Sequence, residues 1–493
     1  MPEDVALERL MKVKHLVVLM MENRSFDQTL GYLQGEGLDV NGLSGSESNP
    51  DDRGEERRVF AWRKEETVFR PDPPLTAKDL DPCHLPDCVA EQLKDGNRGF
   101  VTNFLATRRR VKGKPIELPE RYRALPMGYY TGEHLPVYHH LARSYCVCDS
   151  WHASVPGDTW LNRCYALAAE TSEPAAEKSG LLDHFKDLPI IDKLRGLPIF
   201  EVEAFTRHLG DEQWRWYSHD PATLRAADAE YRKFAAHRGN FTYFDRRQVS
   251  FVTEVGESLI NAHDSFLDDA AKGELRDVSW IDPNFVDLSV LDPNSNDDHP
   301  PSDVFAGQQL VLELYDALVN GPQWRDTLLV ITYDEHGGFF DHVAPPSVDD
   351  GTPYGTLGVR VPALCVGPRV NNFVSHDLFD HTSLIKTILL RFADQQAIDA
   401  MTEHVGHQRI ERANHLGSVL LDEPRPEAPD RGDLHERMEA WRAEARTARR
   451  AREREPTIPG DGAGQRQELT QLADEVTAVS LAMREHGLQA GRP

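Results

Sequence analysis

The run His15-Leu16-Val17-Val18-Leu19-Met20-Met21, followed at once by Glu22-Asn23-Arg24-Ser25-Phe26-Asp27, decides how this chain folds. Its apolar residues do not alternate with polar ones, so the strand they form is covered on both faces, as in a parallel sheet between helix layers. The run is too short to span a membrane, which takes about 20 apolar residues. It also ends in Glu-Asn rather than in a small-residue cleavage site. It predicts a buried strand whose carboxyl end delivers a carboxylate and an amide.

Similar short apolar runs recur at 278–281, 328–333 and 361–366. Between the first two of these, residues 308–319 carry Leu310, Val311, Leu314, Leu318 and Val319 at helical spacing before Gly321-Pro322, and after the last, 381–392 repeat the pattern with a Thr382-Ser383 start. Strand, helix and strand in this order predict an α/β protein, an α/β/α sandwich with a mainly parallel central sheet. A catalytic domain is expected over 1–421. Parts of 41–126 and 171–250 read as cap or insertion, because 41–74 are rich in Gly, Ser, Asp, Arg and Pro. Residues 422–493 read as a charged helical extension, with a helix over 434–453, a linker at 456–464 and a last helix. That last helix carries the stripe Leu469, Leu472, Val476, Val479 and Met483, expected to pack on its own domain.

Lys and Arg number 55 against 81 Asp and Glu, a formal charge of -26. Such a field disfavours nucleic acid and anionic lipid as partners. With no membrane-spanning run and nothing like a secretory signal at the N-terminus, the expectation is a soluble, cytoplasmic protein with reduced thiols. Cys83 and Cys88 are a candidate local bridge only if the chain is exported. No sequence feature fixes an oligomeric state.

Two strands end in paired oxygen donors, Glu22-Asn23 and Asp334-Glu335. Carboxyl ends of parallel strands share one rim of the molecule, where such folds keep their ligands. Carboxylates with an amide form a hard donor set suited to Ca, Mg or Mn, while nearby histidines move the balance towards Zn or Fe. Between the pairs lies Pro156-Gly157-Asp158-Thr159-Trp160-Leu161-Asn162-Arg163, a helix start. There the Thr159 hydroxyl is either a helix cap or a nucleophile beside a phosphate held by helix amides. Asn162 and Arg163 are candidates to hold phosphoryl oxygens, Arg163 equally a structural ion-pair partner. His84, His299 and His342 stand in polar, turn-rich contexts; a histidine near the leaving oxygen serves as general acid, and His342 is a candidate to bind substrate.

Met21-Glu22-Asn23-Arg24-Ser25-Phe26-Asp27 resembles the signature of the bacterial phosphoesterase family that contains phospholipases C and a group of acid phosphatases. Met127-Gly128-Tyr129-Tyr130, Asp158 to Arg163, Asp298-His299-Pro300-Pro301, Asp334-Glu335-His336-Gly337-Gly338-Phe339-Phe340-Asp341-His342 and His381-Thr382-Ser383 follow in family order, over about residues 14–394. The resemblance implies an alkaline-phosphatase-like fold and a covalent phosphoenzyme. It implies a divalent metal at Glu22, Asn23, Thr159, Asp334 and Glu335, Thr159 as nucleophile, and His84 and His299 as active-site histidines. It places Leu161 where the family usually has Pro, and Arg98 where a carboxylate is often seen.

The implied activity is hydrolysis of a phosphoester, with phosphatidylcholine as a candidate substrate. The alternatives are an acid phosphatase acting on monoesters and a non-catalytic phosphate-ligand-binding protein of the same fold. A sulfatase lacks support, since the Cys-x-Pro/Ser-x-Arg stretch that yields formylglycine is absent. Trp151, Trp160, Trp214, Trp216 and Tyr217 are candidates either for an aromatic wall that holds a quaternary ammonium or for core packing.

Overall fold

The structure is a computed structural model. It describes residues 2–443 apart from 64–74, 76, 109, 112–113, 172–199, 219–221, 233–236, 246–263, 286–294, 301, 303 and 442. The apolar run 15–21 forms β1 (His15–Met21), buried along six of its seven residues. Among the described residues seven more strands join it in one sheet: β2 (Cys146–Cys148), β3 (Trp214–Ser218), β4 (Phe241–Tyr243), β5 (Val278–Ile281), β6 (Thr327–Tyr333), β7 (Ala363–Val366) and β8 (Phe373–Ser375). Their order is β4-β3-β5-β1-β6-β7-β2-β8.

β1 runs parallel to both neighbours, with Leu16 opposite Val278 and Met21 opposite Tyr333. β5 and β6 are buried at every position, as unbroken apolar runs between two helix layers must be. Helix α1 (Pro136–Ala142) and helix α3 (Phe266–Lys272) pack on α4 (Val304–Asn320), whereas α2 (Thr159–Ala168) packs on α5 (Thr382–Phe392). The expected α/β/α arrangement is therefore present.

One strand departs from the parallel pattern. β7 runs antiparallel to β6 and β2. No helix lies between β6 and β7, so the chain turns back from the rim where β6 ends instead of crossing over to restart at the opposite edge. Another difference lies within 171–250, read in part as insertion. Its described portion supplies β3 and β4, an edge of the sheet itself. Trp214, Trp216 and Tyr217 of β3, with Trp151, are buried in the core. Trp216 stacks on Trp280 with centroids 5.0 Å apart. The aromatic wall is thus reduced to Trp160, which packs against Phe200.

The thiol expectation is corrected at one place. Cys83 and Cys88 are joined in a disulfide, their Cα atoms brought to 5.9 Å by the turn that enters the helix Pro86–Gln92. Cys146, Cys148, Cys164 and Cys365 are free and buried. The C-terminal helix begins at 434 and docks with Leu434 and Met438 buried and Trp441 edge-on to Phe305 of α4. The remainder of the predicted 434–453 helix beyond 443, and the stripe from Leu469 to Met483, lie outside the described residues. Among the described residues no helix is long and apolar enough to cross a membrane.

Candidate functional site

Because β1 and β6 are parallel neighbours in register, the residues that follow them leave the sheet side by side. The Asn23 N–H donates to Asp334 Oδ1 at 3.1 Å, and the Arg24 N–H to the Glu335 carbonyl at 3.0 Å. Asn23 takes a left-handed backbone, φ 60°, which Asn tolerates better than most residues. Gly337 supports this turn. It too has positive φ, and a Cβ on it would stand 2.2 Å from the Asn23 carbonyl oxygen, so only glycine lets the two loops touch.

Thr159 opens α2 behind Asp158, whose carboxylate accepts from the Leu161 N–H at 3.2 Å. A proline at 161 has no N–H for that bond. The Thr159 hydroxyl donates to Asn23 Oδ1 at 3.3 Å, joining the helix start to the end of β1. Asn23 Nδ2 lies 3.4 Å from His84 Nε2, while His84 donates from Nδ1 to the Pro82 carbonyl at 2.9 Å. His84 Nε2 is also 3.9 Å from Glu335 Oε1, and the His299 ring stands edge-on to His84 at 6.1 Å. Thr159, Glu22, Asn23, Asp334, Glu335, His84 and His299 therefore meet on one rim.

The oxygens differ in what they are free to do. Asp334 accepts from two backbone N–H groups through Oδ1 and from Arg163 Nε through Oδ2, the latter at 3.2 Å. Glu22 pairs with Arg163 Nη2 at 3.2 Å. Glu335 Oε2 accepts from the Gly337 N–H at 2.6 Å, whereas Glu335 Oε1 is buried without a hydrogen-bond partner. A buried carboxylate oxygen left open costs free energy unless a cation takes it up. Thr159 Oγ1 and Asn23 Oδ1 lie 3.3 Å apart on the same rim, and carboxylate, amide and hydroxyl oxygens are the donor types that a hard divalent ion takes.

Charges shift accordingly. Burial lowers the affinity of His84 for a proton, but Glu335, Asp81 and Asp158 outweigh it and push the imidazole up to about 9. Burial alone would raise Glu335, yet His84 and His336 hold it below the usual range. Burial raises Asp334 to about 6, opposed by Arg163. Asp158 is raised by burial to about 6, with its cap bond from Leu161 opposing.

Three residues expected to hold substrate have other employment. Asn162 accepts from the Val155 N–H and donates to the carbonyls of Val155, Gly157 and Asp158, so it braces the loop that presents Thr159. Arg163 takes the ion-pair alternative: fully buried, it bridges Glu22 and Asp334 and approaches Asp282 at 3.9 Å. His342 binds Asp27 at 2.7 Å and Asn41 at 3.0 Å, in a separate cluster. There the ligand atoms of Asp27, Asp341 and His342 lie within 4.8 Å of one another, but Arg360 spans both carboxylates at 3.1 and 2.9 Å. Arg98 pairs with Glu56 on the surface and does not replace a site acid.

Sequence reading missed Asp282, Gln92, His336 and His381. Asp282 follows the buried β5 as Asp334 follows β6, so the same signal was present. It accepts from Trp216 Nε1 at 2.6 Å and from the Thr223 N–H at 2.8 Å. His381 donates from Nε2 to the Asp334 carbonyl at 2.6 Å, a contact that no local pattern announces.

A family model described as the Phosphoesterase family matches residues 13–393. The chain is 32% identical to non-specific phospholipase C6 of Arabidopsis thaliana over 373 residues, 73% of this chain and 62% of that protein. It is 28% identical to phospholipase C A of Mycobacterium tuberculosis over 419 residues, 77% of this chain and 73% of that one. The chain thus spans about three-fifths to three-quarters of the length of these relatives. A solved protein of the alkaline phosphatase superfamily from Vibrio parahaemolyticus superposes with a TM-score of 0.30 at 9% identity, over 80% of this chain and 76% of that one.

Proposed function

The chain belongs to the phosphoesterase family, and from that membership we propose that it is a divalent-cation-dependent phosphodiester hydrolase of the phospholipase C type, working through a phosphothreonine at Thr159. One observation carries the reading. The Thr159 hydroxyl stands at the start of a ten-residue helix, 3.3 Å from the side-chain oxygen of Asn23, whose amide nitrogen meets the His84 imidazole that faces the open Glu335 oxygen.

Asn23, Thr159 and Glu335, flanked by Glu22 and Asp334, would hold the cation. When bound, it supplies Lewis-acid stabilisation of the Thr159 oxygen and of the phosphoryl oxygens. The chain does the rest. The first-turn amides of α2 face phosphoryl oxygens, and the helix dipole favours their negative charge. Thr159 Oγ1, its proton released to solvent, attacks phosphorus and the bond to the leaving oxygen breaks, while His84, oriented by its Nδ1–H on the Pro82 carbonyl, gives a proton from Nε2 to the leaving alkoxide. In the second half, His84 takes a proton from the water that attacks the phosphothreonine, the bond from phosphorus to Thr159 Oγ1 breaks, and that oxygen takes up a proton from solvent. A cation held by Glu335 would offset part of the carboxylate field that pushes His84 up.

Arg163 supports a diester over a monoester. Its charge is shared among Glu22, Asp334 and Asp282, so it is not spare for a dianion. A monoester brings one more negative charge than a diester into a rim rich in carboxylates. The phospholipase names of the relatives support a lipid diester. The test is turnover of bis(p-nitrophenyl) phosphate, p-nitrophenyl phosphate and phosphatidylcholine, each with EDTA and with divalent metal restored. The diester and the lipid should outpace the monoester, and EDTA should abolish all turnover reversibly. Faster monoester turnover means an acid phosphatase. No turnover with metal restored means a binding protein.

A further inference from the structure

Resting on the reading above, we propose that Gln92 is a positioning residue that locks the turn carrying His84 to the loop carrying Glu335. Gln92 is the last residue of the helix Pro86–Gln92 and is buried. Its Nε2 donates to the Cys83 carbonyl at 2.6 Å and to Asn103 Oδ1 at 3.1 Å. A carbonyl oxygen only accepts, so the amide orientation is fixed, and Oε1 must face the other way. There it receives His336 Nε2 at 2.9 Å, and His336 Nδ1 in turn lies 3.2 Å from Glu335 Oε2.

One amide therefore touches the residue before His84 and the residue after Glu335. Gly338 closes the same gap, since a Cβ there would stand 2.7 Å from both the Cys83 carbonyl oxygen and the Pro82 ring. The consequence is geometric. With Glu335 Oε2 occupied by Gly337 and His336, it is Oε1 that is turned towards His84 Nε2, at 3.9 Å. Without Gln92 the His84 turn keeps its own disulfide and the two loops keep their glycine contact, but they lose the polar link that sets their spacing. Groups that orient ligand-bearing side chains in this way change affinity or activity by about 10–100-fold when removed.

The experiment compares Gln92→Met and Asn103→Ala with wild type in the full chain. Affinity for Mn²⁺ alone is measured by titration calorimetry, and kcat and KM on bis(p-nitrophenyl) phosphate with metal restored. Gln92→Met should weaken Mn²⁺ binding and lower kcat, each about tenfold or more, with KM changed less than about threefold and thermal unfolding still cooperative. Asn103→Ala, which spares the links to Cys83 and His336, should stay near wild type. If Gln92→Met binds Mn²⁺ as wild type does, or if Asn103→Ala is as damaging, the positioning role is overturned. Should Gln92→Met fail to fold, Gln92→Glu keeps the shape while setting a carboxylate oxygen against the Cys83 carbonyl, and wild-type Mn²⁺ affinity in it overturns the role equally. An inactive wild type that still binds Mn²⁺ counts against the hydrolase reading alone, because the calorimetric comparison does not depend on turnover.

Discussion

At the scale of single residues, the site is a contest over carboxylate oxygens. Arg163 holds Glu22 and Asp334, backbone amides hold Asp334 again, and the oxygen left open belongs to Glu335. The acids themselves were legible in the sequence, because each pair follows an unbroken apolar run. Their partners were not. Whether Arg163 meets phosphate or carboxylate depends on Glu22 and Asp334, which lie 141 and 171 positions away along the chain. Asn162 bonds its own loop and His342 bonds Asp27 and Asn41, contacts that the motif alone does not announce. Polar residues in a family motif can serve the loop as well as the substrate.

Burial also writes a pH dependence into the core. His152 donates from Nδ1 to the Gly358 carbonyl at 2.9 Å, and burial lowers its pKa from 6.5 to about 4. The unfolded chain therefore binds this proton first as pH falls. The stabilisation is complete above pH ~6.5, declines below it and is gone near pH 4, amounting to roughly 3 kcal/mol. In His152→Asn, which keeps a donor for Gly358, urea unfolding at stepped pH should show a shallower loss of stability over that window. An unchanged slope would exclude His152 as a source of the acid sensitivity.

At the scale of elements, two loops and a helix start make the site, and glycine decides how closely they pack. Gly337 and Gly355 both have positive φ, but a Cβ at 337 meets Asn23 whereas one at 355 meets nothing within 4 Å. Gly355→Ala should therefore cost only the left-handed penalty, about 1–2 kcal/mol, with activity retained. Gly337→Ala should cost more and remove most activity by displacing Asn23. Chemical denaturation and initial rates on the same two variants decide this, and equal effects at both sites would refute the contact argument. The buried strands β1, β5 and β6 were readable because period and length alone identify them. The reversal of β7 was not, because direction is set by the connection from 334 to 362, which carries no crossover helix. β3 and β4 were missed because strands of five and three residues within a polar stretch give little periodic signal.

At the scale of the molecule, a net charge of -26 surrounds a site rich in carboxylates. Vesicles of phosphatidylcholine should be hydrolysed faster than vesicles that also contain an anionic lipid, and the gap should narrow with added salt as the Debye length falls to about 3 Å at 1 M. Equal rates on both surfaces at low salt would show that the field of the protein does not govern access. The family and the sandwich were legible from motif order and apolar runs, which are properties of long stretches. The loop-to-loop bonds that close the site join distant positions, so they had to be seen.

The central claim is that the Thr159 oxygen makes and breaks the bond to phosphorus. The most direct measurement is kcat/KM of Thr159→Ala against wild type on bis(p-nitrophenyl) phosphate, with metal restored and folding checked by thermal unfolding. A nucleophile and its activation are worth roughly 10³-fold or more, and the predicted result is a loss of at least that size in a folded variant. A folded Thr159→Ala protein that retains activity within tenfold of wild type would contradict the account.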